Sequence, residues 1–575
     1  MMGMRGEVME AEKYVPPIAG RLGKLRLDFG ENTVGPSPKV VKALRGLTAE
    51  VVAAYPESRR LAEKVAAYCK VRPENVLLFN GSDEAIDKIF DAIRRPRGEV
   101  VLPVPTYSPF ELYAKLAGLK VREVLLDDDA GFSFPLKRVL GAVNARTAAI
   151  VVCSPNNPTG TTVTRKQVER LLRRAPNALV LVDEAYIEFG GETLVPMLRK
   201  YGNLLVLRTL SKAFGLAGLR MGYALAQAPV IERLAAAARP YPVSGAGLRA
   251  GLAALGDLAY MRAYVREVGK SRAWLRKALK RLGVEARFGK ANAFILRLGS
   301  QVKFVVRKLR ERGVLVRDRS GYPLLAGCCR VTIGTRKQMK RFVRELKGVL
   351  AEPVLVFDID GVLVDVRKSY REAIRLTVER LTGKKASAGE IQALKNEGGY
   401  NSDWELSREL AKRKGKKAEL ATVKRVFQGF YLGKNFGGLI ANEKLLADKE
   451  GLKRLAERYR LAVFTGRPRA EAEFALQRFG VRDLFAEVVC MEDVPPGKAK
   501  PGPWGLKEVL RRLGAAAGAY FGDTPDDQQA ARRAGLTAVG VLPPQDKGRE
   551  LRELLRKNGA GKVFGDVNEA LEGWR

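Results

Sequence analysis
A chain of 575 residues exceeds what one hydrophobic core serves, so two domains are the expectation. Its formal charge of +39 is spread along helical segments beside acids and comes without a zinc-finger, RNP or basic-zipper pattern; it reads as a solvated basic surface that attracts small anions, with no nucleic-acid partner. The chain has no histidine, which excludes Cys/His zinc sites and Ser-His-Asp hydrolysis and leaves Asp, Glu, Lys, Tyr, Cys and the backbone to do all acid, base and metal chemistry.

Cys69, Cys153, Cys328, Cys329 and Cys490 are sparse, odd in number and without CxxC spacing, as expected in a reducing cytoplasm. No run approaches the roughly 18 apolar residues of a membrane span, and the first twelve residues mix charges without an apolar core, so neither membrane nor secretory signal is expected.

In chain order, short apolar runs alternate with amphipathic helical stretches, which predicts an α/β fold with parallel sheets. In the first half strands are predicted at residues 76–79, 100–102, 149–153, 179–182, 204–207 and 223–226. A charged helical stretch over 254–282 then leads to a smaller segment ending near Leu350. Ala351-Glu352-Pro353 is the only visible linker and divides a domain 1–351 from a domain 353–575. The second half opens with an apolar strand at 354–357, and residues 367–453 read as a helical insert.

Several strand ends in the first half carry chemistry. Arg208-Thr-Leu-Ser211-Lys212 enters a glycine-rich turn, with Arg220 eight residues after the lysine. A Schiff-base lysine needs such a rigid mount and a nearby cation for the cofactor's phosphate. Asp183, ending an apolar strand, suits a protonated pyridine nitrogen, and the phenol of Tyr186 suits the ring oxygen. Ser154-Pro-Asn-Asn157 follows another strand, Asn80-Gly81-Ser82-Asp83 opens a helix where free N–H groups can hold phosphate, and Tyr107 can stack on a ring. Each element alone is more often structural; five in this order are a site.

These segments resemble class I/II, fold-type-I aminotransferases, and within them the histidinol-phosphate aminotransferase group. Leu27-Asp28-Phe29-Gly30-Glu31-Asn32, Tyr55-Pro56-Glu57, Asn292 and Cys329-Arg330-Val-Thr-Ile-Gly-Thr335 approximate its pattern, although Gly30 stands where asparagine is commoner. The resemblance spans about residues 1–350 and implies a large mixed or parallel sheet domain, a small α/β domain, and pyridoxal 5′-phosphate as cofactor. It further implies that Lys212 links to the cofactor and shuttles the proton between Cα and C4′, while Asp183 pairs with the pyridinium. Asn157 and Tyr186 would hold the ring oxygen, Tyr107 would stack, and Ser82, Asp83, Ser211 and Arg220 would hold the phosphate. Arg330 would clamp the substrate's carboxylate or the equivalent end of an amino-alcohol phosphate, and Tyr55 would complete a partner subunit's site in a homodimer. Relatives acting on aromatic amino acids, or decarboxylating threonine phosphate, share nearly all the cofactor residues.

In the second half, Val354-Leu-Val-Phe-Asp358-Ile-Asp360 is a strand ending in two acids on one face. Leu461-Ala-Val-Phe-Thr465-Gly466-Arg467, Lys500-Pro501 and Gly522-Asp523-Thr-Pro-Asp526-Asp527 follow in order. An anionic nucleophile beside an anionic substrate needs charge neutralised, which Mg²⁺ and a lysine do without histidine. This set resembles the haloacid-dehalogenase superfamily, a Rossmann-like domain with, here, a helical subclass I cap. The resemblance implies Asp358 as nucleophile, Asp360 as acid and base, Thr465 and Gly466 on the phosphoryl oxygens, and Lys500 on the nucleophile. Asp358, Asp360 (through its carbonyl), Asp523 and Asp527 would hold Mg²⁺. Residues 398–404 of the cap are a candidate imidazole reader, against the plainer reading of Trp404 as core and Asp403 as a helix cap. A phosphatase fused to a maker of histidinol phosphate suggests histidinol phosphate as the second substrate; another small phosphoester is the alternative.

Overall fold
The computed structural model describes residues 18–128, 131–397 and 402–574. The chain divides into two compact units, one running to Leu298 with Lys308–Glu345, the other Gly299–Arg307 with Leu346 onward.

The first unit is built on a seven-stranded sheet in the order Val76–Asn80, Met221–Leu225, Leu204–Thr209, Leu179–Asp183, Thr147–Cys153, Glu99–Val104 and Lys120–Leu125. Its central strands are parallel and almost wholly buried, so they read as unbroken apolar runs, as strands covered on both faces do. Met221–Leu225 runs antiparallel to both its neighbours. The sheet is therefore mixed; strand direction leaves no trace in hydrophobicity. Lys120–Leu125 escapes the sequence pattern because it is an edge strand with mostly exposed or half-exposed, charged residues. A second, four-stranded antiparallel sheet orders Arg317–Asp318, Cys328–Thr332, Ala293–Arg297 and Glu285–Phe288. The helix expected over 254–282 occupies Leu258–Arg281.

The second unit has a six-stranded, all-parallel sheet in the order Phe485–Val489, Arg460–Phe464, Val354–Phe357, Gly518–Gly522, Thr537–Val541 and Lys562–Phe564. Three adjacent strands end at Phe357, Phe464 and Gly522, so their carboxyl ends converge, where open α/β sheets place ligands. A small ribbon pairs Val364–Asp365 with Lys444–Leu445, and between its strands the chain forms the helices Tyr370–Thr382, Ala388–Asn396, Asp403–Arg413 and Leu420–Tyr431. The ribbon is the stem of this helical cap.

Candidate active sites
In the first unit, the Asp183 carboxylate is buried at its strand end. It accepts from the Ala185 N–H at 2.9 Å and from the Cys153 thiol at 3.6 Å. Burial pushes it up to about 6, against the pull of that N–H and of Lys212. Lys212 donates to the Phe29 carbonyl at 3.0 Å and lies 5.5 Å from the centre of the Tyr186 ring. Ser211 beside it is buried.

Ser82 and Asp83 form the first turn of the helix Gly81–Ile93, where backbone N–H groups have no helical partner. The Asp83 carboxylate accepts from the Tyr107 hydroxyl and from Arg220, each at 2.7 Å. With its carboxylate engaged by Tyr107 and Arg220, what Asp83 has to offer an anion at this helix start is its backbone N–H. Gly81 is left-handed at φ +80, and a Cβ there would stand 2.5 Å from Arg220 Nη2; one on Gly222 would stand 2.5 Å from the Ser82 nitrogen. Arg220 itself adopts φ 51, a conformation that costs a non-glycine residue about 1–3 kcal/mol and clusters at functional sites.

Arg330, buried in the strand Cys328–Thr332, donates to Asn157 Oδ1 and to the Asp28 carbonyl, both at 2.5 Å. Its Nε is buried without a partner, as is Asn292 Oδ1. Gly30 lies between the Tyr186 hydroxyl and Asn292, 3.1 and 3.7 Å from where its Cβ would be. Tyr55 is outside this group: it is 81% exposed, its ring stacked 4.5 Å from that of Tyr241.

In the second unit, carboxylate oxygens of Asp358, Asp523 and Asp527 lie within 4.8 Å of one another. The Lys500 ammonium stands 3.1 Å from Asp358 and 2.8 Å from Asp527. Burial pushes Asp358 up to about 7, Lys500 opposing and Asp527 adding to the rise; Asp523 is driven well above the usual range by burial, then by Asp527 and Asp358. Asp527 is also held by the Tyr520 hydroxyl at 3.1 Å and the Thr524 hydroxyl at 2.6 Å. Thr465 is buried at its strand end and accepts from the Arg467 N–H at 3.2 Å, with Gly466 exposed beside it. The Asp360 carboxylate is not in the three-acid cluster; Arg467 holds it, through Nε at 2.8 Å.

Asp358, Asp360, Thr465, Gly466, Lys500 and Asp523 open onto a cavity of about 310 Å³, which is also lined by cap residues that include Arg371, Lys395, Asp403 and Trp404. Of the expected imidazole reader, residues 398–401 lie outside the described residues. Ser402, not Asp403, caps the helix Asp403–Arg413; Asp403 instead meets Lys395 at 3.0 Å. Trp404 lines the cavity under the ammonium of Lys424, 4.3 Å from its ring.

Residues 23–346 match the family model for aminotransferase class I and II. The chain belongs to the class I and II aminotransferases. Residues 353–535 match the haloacid dehalogenase-like hydrolase model, so this aminotransferase carries a hydrolase domain in the same chain. Among curated relatives, histidinol-phosphate aminotransferase 2 of Thiobacillus denitrificans is 36% identical over 58% of this chain and 94% of its own length. Histidinol-phosphate aminotransferase of Symbiobacterium thermophilum is 35% identical over 61% of this chain and 100% of its own. The histidinol-phosphate aminotransferase of Sinorhizobium meliloti, solved with pyridoxal-5′-phosphate, shares the fold at TM-score 0.56 and 24% identity, over 61% of this chain and 98% of that one. Among the described residues no helix is long and apolar enough to cross a membrane.

The aminotransferase site fits pyridoxal phosphate. A buried acid, a lysine, two orphaned buried polar atoms, and two glycines whose missing Cβ atoms leave room for Arg220 and for the backbone at a helix start are what such a group would use. The hydrolase site fits Mg²⁺: three crowded carboxylates with one lysine lack the positive charge that a divalent ion would add. Sequence reasoning gave no role to Arg467, although it stands two residues after Thr465 in a motif already recognised. Nor did it find Glu443, which Arg467 meets at 3.0 Å and which no local pattern marks.

Proposed function
We propose that the chain is a bifunctional enzyme of histidine synthesis. Its first unit transfers the amino group between glutamate and imidazole-acetol phosphate, giving 2-oxoglutarate and L-histidinol phosphate. Its second unit hydrolyses L-histidinol phosphate to L-histidinol with Mg²⁺. The supporting observation is one chain that joins a lysine site, whose relatives are named for histidinol phosphate, to a carboxylate–lysine site suited to phosphate esters.

In the first site, pyridoxal phosphate when bound supplies an electron sink for the electrons left at the substrate's Cα. Lys212 anchors the cofactor and carries the proton. Buried Asp183 would pair with the ring nitrogen and keep it protonated; Asn157 and Tyr186 would hold the ring oxygen, and Tyr107 would stack on the ring. Ser82, Asp83 through its N–H, Ser211 and Arg220 would hold the phosphate at the first helical turn. Arg330, with Nη1 on Asn157, Nη2 on the Asp28 carbonyl and a free Nε, would receive an anionic end of either amino donor or acceptor. Tyr55, exposed in one chain, serves the neighbour's site in a homodimer.

In the second site, Asp358, Asp523, Asp527 and the Asp360 carbonyl would hold Mg²⁺, which would supply positive charge to offset that of the phosphate ester. A carboxylate oxygen of Asp358 attacks phosphorus, the bond to the ester oxygen breaks, and Asp360 gives that oxygen its proton. Asp360 then takes a proton from water, which attacks phosphorus and frees Asp358 with release of phosphate. Thr465, Gly466 and Lys500 hold the phosphoryl oxygens. Incubating the purified protein with glutamate and imidazole-acetol phosphate tests the whole reading. 2-Oxoglutarate and, with Mg²⁺, inorganic phosphate should appear together. Oxoglutarate without phosphate would leave the aminotransferase and remove histidinol phosphate as the second substrate.

A further inference from the structure
Arg467 is among the largest wholly buried side chains of the described residues, and it joins two acids of different standing. One is Asp360, partly open to the cavity, which takes bonds on a single oxygen from Nε at 2.8 Å and Nη2 at 2.5 Å. The other is Glu443, sealed from solvent, which takes Nη1 and Nη2 on its two oxygens at 3.0 Å each. Glu443 is satisfied further by the hydroxyls of Ser369 at 3.0 Å and Tyr431 at 2.9 Å. The Tyr370 ring lies 4.9 Å from the guanidinium carbon.

The chain origin of these partners is informative. Arg467 follows a core strand. Ser369 and Tyr370 begin the first cap helix, Tyr431 ends the last one, and Glu443 directly precedes the stem strand Lys444–Leu445. One face of the guanidinium system is therefore set by both ends of the cap, while the other aims a core carboxylate. A planar fork with five fixed donors transmits direction as a flexible ammonium cannot.

We propose that Arg467 is a positioning residue for Asp360, and that Glu443 fixes its guanidinium from the cap stem, so that the seating of the cap sets the direction of the general acid. The inference rests on the phosphatase reading above. Proton delivery matters most when the leaving oxygen is poor, which gives a signature that a mere brace lacks. The measurement is kcat and KM with Mg²⁺ for p-nitrophenyl, phenyl and ethyl phosphate, in the wild type, in Arg467→Lys and in Arg467→Met/Glu443→Gln. The double variant removes both charges, so that no sealed carboxylate is left unpaired.

With positioning lost, kcat on ethyl phosphate should fall by about 10²-fold or more, the scale of general acid catalysis, and on p-nitrophenyl phosphate by far less. KM should move little. Equal falls on all three esters in folded variants would overturn the proposal and leave Arg467 a brace; so would unchanged rates. A wild type that hydrolyses none of them, with Asp358→Asn indistinguishable from it, would overturn the phosphatase reading as well.

Discussion

Lys212 and Asp358 are the two residues whose loss should be most selective. Lys212→Ala should cut transamination by roughly 10²–10⁴-fold or beyond and remove the near-ultraviolet to visible absorption of the lysine-linked cofactor, with phosphate release unchanged. Asp358→Asn should do the reverse, since an amide cannot accept phosphorus, and EDTA should mimic it. Phosphatase activity that survived EDTA would point to another chemistry. A third residue reports on stability. Glu188 is hydrogen-bonded by Tyr68 at 3.2 Å, its other oxygen has no partner, and burial pushes its carboxyl up to about 7 although Arg208 pulls it down. Between the ordinary carboxylate value and 7 the folded state keeps a proton that the unfolded chain has lost. Its contribution is thus complete at low pH and disappears as pH rises through 7. Glu188→Gln should flatten the melting temperature between pH 5 and 8 and raise stability at pH 8 by about 1–2 kcal/mol. A variant with the wild-type pH slope would clear Glu188. Residues that act alone at strand ends, such as Asp183, were legible in the sequence because an acid after an apolar strand stands out. Glu443 was not, since its meaning lies in a partner 24 residues away.

At the scale of elements, cap residues line the cavity, and the proposed function gives them the reading of the substrate. Trp404 packs partly against the hydrophobic core and partly lines the cavity, so packing and contact with a substrate both have to be tested on this side chain. Trp404→Ala should lower kcat/KM for histidinol phosphate by about ten-fold, the worth of a stacked cation and ring, while sparing p-nitrophenyl phosphate. A parallel loss on both, with a lower melting temperature, would leave only packing. Elements buried on both faces, such as Thr147–Cys153 and Leu204–Thr209, were visible as apolar runs. The charged edge Lys120–Leu125 and the reversed direction of Met221–Leu225 were not. An edge strand need not be apolar, and direction is decided by connections rather than by composition.

At the scale of the whole molecule, one chain fixes the ratio of the two domains at one to one. If the aminotransferase sites are shared between subunits, mixing Tyr55→Ala with Lys212→Ala chains should recover up to about a quarter of the wild-type rate per mixed population. A fully active monomer in sedimentation would end that reading. The reversed strand has a consequence for how the molecule is made. Asn80 pairs with Met221, which is why Arg220 can reach Asp83, 137 residues away in the chain. That pairing closes a very long loop, the kind of contact that forms slowly and contributes late in folding. During synthesis the Arg220–Asp83 contact cannot exist until Met221–Leu225 has emerged, however early the helix at Gly81 forms. A cofactor that grips both sides of this junction acts as a clasp on it, stabilising the folded state in proportion to its binding. Cofactor present while the chain is being made would then raise the share of it that reaches and keeps the folded state.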